Sequence, residues 1–185
     1  MRKLSMEELG RKSVEEFKQS GKNSIIVVLE NIRSAYNVGS VFRTADAFLI
    51  EAIYIIGYSA KPPHKEIKKT ALGAEDTVEW KYFKTSAEAI EELKAKQYKV
   101  YAVEQAEGSY KLHTAGFRQN DKIAVVFGNE VTGVEQFTIH LCEGCIEIPQ
   151  LGMKHSLNIA TAAGVVLWEL IRSKLPPPLK GRIEH

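Results

Sequence analysis

Two polar residues that could bind a ligand or take part in a reaction follow the first long apolar run of the chain. Asn37 and Arg43 are six residues apart, nearly two helical turns, so a helix places them close to the same side, and Asn37 is expected to cap that helix. Apolar residues flank Arg43, which indicates partial burial, and a buried guanidinium requires an acidic partner or a ligand. The alternative is a helix-surface salt bridge between Arg43 and Asp46, three residues further on.

Two later segments carry polar residues that a plain connection does not need. Phe127-Gly-Asn-Glu130-Val-Thr-Gly133 follows a β-branched run; its glycines allow close backbone approach to a ligand, and Glu130 supplies a carboxylate. Residues 149–155 form a loop before a helix that Ser156 is expected to cap, with Asn158 in its first turn. Each segment taken alone is also explained as an ordinary turn or helix cap.

The elements that must position these segments follow from hydrophobic periodicity. Helices are predicted from Ser5 to about Gly21 (opened by a Ser5–Glu8 capping box), over 38–48, 85–96 and 134–141, and from Ser156 to about Lys174. Strands are predicted over 25–29, 52–56, 100–103, 123–127 and 146–148. The alternation predicts an α/β fold with a mostly parallel sheet and helices on both faces. Ligands bind such sheets beyond the carboxyl ends of the strands, where all three segments lie.

The bulk properties set limits on the function. The 185 residues predict a single domain, 1–185, with an N-terminal helix within 1–22 and a tail at 175–185. Neither a membrane-length apolar run nor a signal-peptide core occurs, so the expected location is the cytoplasm. The net charge of +2 permits a nucleic-acid partner if the positive charge is gathered in a patch. Lys61, Lys65, Lys68 and Lys69 form such a patch, and a solvated loop is the alternative of equal weight.

Cys142 and Cys145 form a single C-x-x-C pair. A zinc ribbon requires a second pair, and a thioredoxin-like motif opens a helix, whereas this pair precedes a predicted strand. We therefore expect no metal and no redox chemistry.

Together the three segments resemble the motifs of the SpoU–TrmH family of RNA ribose 2′-O-methyltransferases, within the SPOUT superfamily. Asn37-x₅-Arg43 resembles the first motif, Gly128-Asn-Glu-x-x-Gly133 the second, and Ile148-Pro-Gln…Ser156-Leu-Asn158 the third. They occur in family order between Asn31 and about Leu170. Lys69-Thr-Ala-Leu-Gly-Ala74 resembles a further segment common in the family.

The resemblance implies a trefoil knot near the C-terminus and S-adenosylmethionine bound in the knot loops. The implied cofactor contacts are Val103, Glu104, Gln105, Gly128, Asn129, Glu130, Ile148, Gln150, Ser156 and Leu157. Arg43 is expected beside the ribose hydroxyl, held with the ribose by Asn37, Ser156 and Asn158, while Glu130 orients the arginine or its loop. No metal is required.

The resemblance also implies a homodimer and an RNA substrate. The broad apolar surface of the last helix is expected to dimerise, through Ile159, Ala160, Ala163, Val166, Leu167, Leu170 and Ile171. Ile148-Pro-Gln and Leu167-Trp-Glu169 resemble the branch that modifies a D-loop guanosine of tRNA, and the lack of an added N-terminal domain or a long basic C-terminal extension also favours tRNA over rRNA. The alternatives are an rRNA methyltransferase, base methylation, a non-catalytic RNA-binding module, and a Rossmann oxidoreductase. The oxidoreductase is disfavoured because no glycine follows the first strand.

Overall fold

A computed structural model describes residues 2–5, 8, 10, 12–118, 120–153, 156–172 and 175. The helices are α1 (Val14–Gln19), α2 (Ala35–Ala47), α3 (Lys65–Ala71), α4 (Ser86–Ala95), α5 (Gln136–Leu141) and α6 (Ile159–Arg172). The strands are β1 (Asn23–Glu30), β2 (Ile50–Ile56), β3 (Glu79–Phe83), β4 (Lys99–Val103), β5 (Tyr110–Lys111), β6 (Ile123–Phe127) and β7 (Gly144–Glu147). Two short 3₁₀ turns lie at Ala74–Asp76 and Leu112–Thr114.

The strands form one sheet in the order β3-β2-β1-β6-β4-β7-β5, and every neighbouring pair is parallel. β1 lies near its centre, where Val27 pairs with Ile53 of β2 on one side and with Val125 of β6 on the other. All three side chains are fully buried. The continuous apolar runs therefore arise because both faces of the central strands are covered.

Helices cover both faces, as predicted. One face packs against α1, α2, α3 and α6, with Phe42 and Leu167 in its core, and the other packs against α4, with Leu93 at its centre. The apolar stripe of α6 is buried within this chain. Ala160 is half-buried, and the buried residues are Ile159, Ala163, Val166, Leu167, Leu170 and Ile171. The prediction that these residues form a surface for a second chain is wrong, because sheet and α2 already cover them.

Three elements were not predicted from the sequence. β3 and β5 are at the two edges of the sheet, so their side chains lack the apolar run of a central strand. α3 lies in the segment predicted as a basic loop and buries only Ile67 and Ala71. One apolar contact per turn is too weak a periodic signal to predict a helix.

The first helix starts later than predicted. Ser5 and Glu8 exchange the expected capping hydrogen bonds, but the first helix begins only after Ser13, which forms a second capping box with Glu16. Gly10 lies between the two boxes with φ +57°. Positions 6, 7, 9 and 11 of the predicted helix lie outside the described residues, as do 173–174 and, apart from Leu175, the predicted tail.

None of the helices in the described ranges has the length and apolar character needed to cross a membrane.

The packing of α2 on α3 brings two of the candidate cations together. At Gly39 an added Cβ would lie 2.1 Å from the Thr70 side-chain oxygen and 2.4 Å from the Ile67 carbonyl oxygen. This close approach places Arg43 of α2 beside Lys69 of α3.

We predict that Gly39→Ala lowers stability although alanine is the better helix former. The favourable helix propensity is about 1 kcal/mol, whereas the clash with a backbone carbonyl costs about 1–3 kcal/mol. Thermal melting should therefore show a lower midpoint. Gly21→Ala is the matched control, because nothing lies within 4 Å of its added Cβ. A Gly39→Ala melting point equal to or above wild type would contradict the close α2–α3 contact.

Candidate active site

The three sequence motifs meet at one edge of the sheet. The first follows β1, the second follows β6, and the third follows β7. β6 adjoins β1, and β4 lies between β6 and β7, so the carboxyl ends of four neighbouring strands contribute to the same region. This placement confirms that the segments lie beyond the carboxyl ends of the strands.

The second motif closes on itself. The amide of Asn129 donates to the carbonyl of Gly133 at 3.0 Å, and the reverse bond is 2.9 Å. The Asn129 side-chain oxygen accepts from the amides of Val131 and Thr132 at 2.8 and 3.1 Å. A Cβ on Gly128 would lie 2.2 Å from the backbone of Gly133, so glycine is required there. The turn is rigid and presents Glu130 outward.

Asn129 also joins this turn to the loops after β1 and β2. Its side-chain amide donates to the Asn31 carbonyl at 2.9 Å and to the Tyr58 hydroxyl at 2.7 Å. Asn31 has φ +54°, and the side-chain amide of Asn31 donates to the Glu135 carboxylate at 2.7 Å. Sequence reasoning gave no role to Tyr58, which follows Gly57 and carries no motif signal of its own.

Glu130 lies against the start of α2. Its carboxylate accepts from the Arg33 amide at 2.8 Å, the Ser34 amide at 3.1 Å and the Asn37 side-chain amide at 2.9 Å. Burial acts to raise the pKa of Glu130, but these hydrogen bonds outweigh burial and hold the pKa below its ordinary value. A negative charge is also favoured at a helix N-terminus.

Asn37 and Asn158 extend the hydrogen bonds to the third motif. Asn158 donates its side-chain amide to the Asn37 side-chain oxygen at 3.1 Å. The Asn158 side-chain oxygen accepts from the Ala160 amide at 2.9 Å and so caps α6. The three side chains Glu130, Asn37 and Asn158 form a continuous chain across the three motifs, which we call the motif network.

Two predicted helix caps are corrected by this geometry. Ser34, rather than Asn37, caps α2, since its hydroxyl accepts from the Asn37 amide at 3.3 Å. Asn158, rather than Ser156, caps α6. Ser156 is exposed two residues before it, so its hydroxyl is not committed to the helix start.

Arg43 is exposed, and its side chain makes no hydrogen bond or ion pair within the described ranges. The predicted partial burial is wrong because Val41, Phe42 and Ala45 face the core while Arg43 faces the other side of α2. The salt-bridge alternative is also wrong, since Asp46 accepts from the Thr77 hydroxyl at 3.1 Å instead. A free guanidinium is available to an anionic ligand.

The guanidinium of Arg43 opens into a concave region of about 440 Å³. Lys69 of α3 and Thr161 of α6 line the same region. Two cations and several hydroxyl groups without a facing carboxylate suit a phosphate or another anion. We call this region the Arg43 groove.

The predicted cofactor residues lie at the ends of β4, β6 and β7. Glu104 accepts from the Val134 amide at 3.1 Å and from the Gln105 amide at 2.9 Å, so it braces the second motif from the β4 side. Val103 and Ile148 are partly buried against the core. Gln150 is half-buried, and Leu157 is exposed.

The loop after β7 leaves large apolar side chains uncovered. Leu151 is 99% exposed and Met153 84% exposed, while positions 154 and 155 lie outside the described residues. Uncovered apolar side chains at the ends of adjacent strands fit the apolar faces of an adenosine. The same residues offer no metal ligands, and no group of three or more His, Cys, Asp or Glu suited to a metal occurs among the described residues.

The two cysteines are not poised for redox or metal chemistry. Burial raises the pKa of Cys142 to about 12 and also raises the pKa of Cys145. Because the thiolate is the reactive and metal-binding form, burial disfavours that form of both thiols at neutral pH.

The four predicted RNA-binding lysines separate into distinct surroundings. Lys65, Lys68 and Lys69 lie on α3, and Lys61 precedes it with its ammonium 3.7 Å above the Tyr82 ring centroid. Within the described part of the chain, none of the four has an ion pair.

We predict that Glu130→Gln lowers the melting point at pH 7 and that the difference from wild type narrows in acid. A glutamine places an N–H group against the amides that Glu130 accepts from, at a cost of about 1 kcal/mol for so exposed a site, or roughly 2–4 °C. The folded pKa lies below the unfolded value of about 4.3. The carboxylate's stabilisation is therefore fully present above the unfolded pKa and is lost as pH falls through the folded pKa.

Melting curves between pH 7 and pH 3 check this expectation. Glu107→Gln is the matched control, because Glu107 is exposed and has no hydrogen bond within the described residues. A difference between Glu130→Gln and wild type that stays constant down to pH 3 would count against the charged hydrogen bonds of Glu130.

Comparison with known proteins places this geometry in a family. Residues 24–168 match the sequence profile of the SpoU rRNA methylase family. The tRNA (guanosine(18)-2′-O)-methyltransferase of Thermus thermophilus is 30% identical over 95% of this chain and 88% of its own. The 23S rRNA (guanosine-2′-O-)-methyltransferase RlmB of Haemophilus ducreyi is 28% identical over 93% of this chain and 69% of its own.

Solved structures agree on the fold. The A. aeolicus TrmH/SpoU tRNA modifying enzyme matches with a TM-score of 0.77 at 22% identity, covering 87% of this chain and 80% of its own. The AdoMet-bound rRNA methyltransferase from Sinorhizobium meliloti matches with a TM-score of 0.73 at 27% identity, covering 90% and 62%. The resemblance seen in the three motifs is confirmed: this chain belongs to the SpoU family of RNA methyltransferases.

Proposed function

We propose that the protein transfers a methyl group from S-adenosylmethionine to a ribose 2′-hydroxyl of tRNA. The observation that carries the proposal is the unpaired guanidinium of Arg43, set beside the motif network at the carboxyl ends of the strands. The donor is supported by the S. meliloti relative, which binds AdoMet and is 27% identical. tRNA is favoured because the T. thermophilus tRNA enzyme is matched over 88% of its length.

rRNA is the second candidate substrate. It is supported by the RlmB relatives, of which this chain spans at most 69% among those compared. The remaining part of each RlmB relative is not matched by this chain, so any RNA selection made by that part does not carry over to it.

S-adenosylmethionine, held by the loops after β4, β6 and β7, supplies an electrophilic methyl group. The chain's own residues must align the ribose and make its hydroxyl a better nucleophile. Arg43 binds the phosphate beside that ribose through the planar fork of its guanidinium and stabilises the negative charge that develops on the oxygen. Lys69 adds a second positive charge to the Arg43 groove.

The motif network positions Arg43. Glu130 fixes the start of α2, and Asn158 ties the same turn to the start of α6 through Asn37. Arg43 lies six residues beyond Asn37 on this anchored helix, so the network determines where the guanidinium stands relative to the third motif. Ser156, exposed next to that motif, is free to hydrogen-bond the ribose.

A trefoil knot near the C-terminus belongs to the same proposal. It is supported by the course of the chain, which runs from β4 to the outer strand β5, returns to β6 on the other side of β4, and then enters β7 between β4 and β5.

Arg43→Ala should abolish turnover and leave the fold and donor affinity intact. Loss of a charge-stabilising group costs about 10²- to 10⁴-fold in rate. Arg43→Lys should restore little, because an ammonium cannot reproduce the bidentate fork. Three measurements on the same variants check this: single-turnover methylation for the rate, thermal melting for the fold, and calorimetric titration for donor affinity.

Arg118→Ala is the matched control for this experiment. Arg118 is also exposed, but it precedes β6 and so lies towards the amino ends of the strands. The Arg118→Ala variant should therefore methylate RNA at the wild-type rate. Near-normal methylation by Arg43→Ala would remove Arg43 from the reaction.

A homodimer is also part of the proposal, through a surface other than the one predicted from sequence. Val165 is 40% exposed and Trp168 48% exposed on the outer side of α6, and Leu157 is 42% exposed just before it. Leu151 and Met153 of the preceding loop are exposed as well, and we call these five side chains the apolar patch. A second copy covering this patch would stand next to the donor loops.

Val165→Asp should convert the dimer to a monomer at micromolar concentration, because a carboxylate in the apolar contact loses its hydration without a partner. Light scattering measures the mass. Val14→Asp on α1, 46% exposed and far along the sequence, should remain dimeric. A wild-type protein that is monomeric under these conditions would refute the dimer.

A further inference from the structure

A second groove lies against another face of α3 and is not used by the proposed methyl transfer. It is a concave region of about 480 Å³, lined by Lys65 and Lys68 of α3 and by Trp80 of β3. Lys69, the next residue along, lines the Arg43 groove instead. α3 is thus a ridge between two grooves. Because a helix with its side chains is about 10–12 Å wide, the grooves are close neighbours.

The floor of the second groove is aromatic. Trp80 packs partly against the main core and is half-buried, so the rest of its surface is exposed to the groove. Tyr82, two residues along the same edge strand, lies on the same face and is 42% exposed, with Lys61 above its ring. Aromatic side chains interleaved with lysines are the pattern by which proteins bind single-stranded nucleic acid, through stacking and phosphate contacts.

The charges in the groove are divided in a way that suits a nucleotide. The side chains of Lys65 and Lys68 have no hydrogen bond or ion pair within the described residues, so they are available to a phosphate. Asp76 and Glu75 line the groove as well. Glu75 accepts from the Gly73 amide at 2.9 Å.

 

The Asp76 carboxylate lies on the acidic side of this groove. The Thr77 hydroxyl donates to Asp46 and to the Ala74 carbonyl, not to Asp76. The Asp76 carboxylate therefore has no hydrogen-bond donor within the described residues and is open to a ligand N–H. A carboxylate repels phosphate but accepts well from the N–H groups of a base, so the acidic side of the groove suits a base and the lysine side suits its phosphate.

We propose that this groove binds an unpaired nucleotide of the substrate RNA, with its base stacked on Trp80. Asp76 accepts an N–H of the base, and Lys65 and Lys68 hold the adjacent phosphate. The nucleotide is unpaired because a base within a helix is already stacked and has its pairing edge occupied. The inference rests on the proposed RNA methyltransferase function and adds a determinant of which RNA is chosen.

Methylation kinetics on unmodified tRNA transcripts test the groove. Trp80→Leu should raise KM for RNA about 5- to 150-fold, the equivalent of a lost stacking contact of about 1–3 kcal/mol. The kcat and the affinity for S-adenosylmethionine should stay at wild-type values, and Trp80→Phe should retain most RNA affinity. Lys65→Gln with Lys68→Gln should lower the salt slope of RNA binding by about 0.7 per contact. Lys94→Gln on α4, across the sheet, is the control and should leave the slope unchanged.

A second measurement keeps the test independent of folding in Trp80→Leu. The chain has two tryptophans, so Trp168→Phe leaves Trp80 as the only one, and RNA binding should quench its fluorescence. If the folded variants keep the wild-type KM and RNA quenches no fluorescence, the second groove does not bind RNA. Methylation of RNA by the wild-type protein would then leave the proposed function standing. Quenching without any wild-type methylation of RNA would overturn the proposed function and leave the groove as an RNA site.

Discussion

The site depends on one carboxylate at the start of one helix. Glu130, presented by the closed turn after β6, accepts from two backbone amides and from Asn37 at the beginning of α2. The carboxylate stays exposed, and charge-assisted hydrogen bonds from three donors replace the part of its hydration that it loses there. The contact joins segments almost a hundred residues apart in sequence, and through Asn37 and Asn158 it fixes α2 relative to α6.

Arg43 differs from the residues of the motif network that position it, because their side chains are hydrogen-bonded to one another and its guanidinium is not. The polar residues of the network satisfy one another, so the guanidinium has no competing partner within the described residues. A cation that is anchored through its backbone but unpaired at its tip is prepared for a charge supplied by the substrate. The Arg43 groove and the second groove, lined by Trp80, lie on two faces of α3, one suited to the reacting ribose and its phosphate, the other to a neighbouring base.

The central sheet could be predicted from sequence because β1 and β6 are apolar on both faces, and a buried parallel strand needs no other signal. The edge strand β3 and the polar helix α3 could not, because their positions are set by tertiary contacts such as Gly39 against Thr70. The motif residues were found from their types and spacing. The exposure of Arg43 was not, since apolar neighbours in sequence face the core while the residue between them faces outward. The cap of α6 was assigned to Ser156 because serine and asparagine are both good caps, and only the geometry distinguishes them.

The central claim is that this chain methylates a ribose in tRNA. The most direct measurement is mass-spectrometric mapping of 2′-O-methylnucleosides in tRNA and rRNA from cells with and without the gene. The account predicts that one ribose methyl disappears from a defined tRNA position when the gene is removed and returns when the wild-type gene is restored. Unchanged ribose methylation in tRNA, with loss of a base methyl or of an rRNA methyl instead, would contradict it.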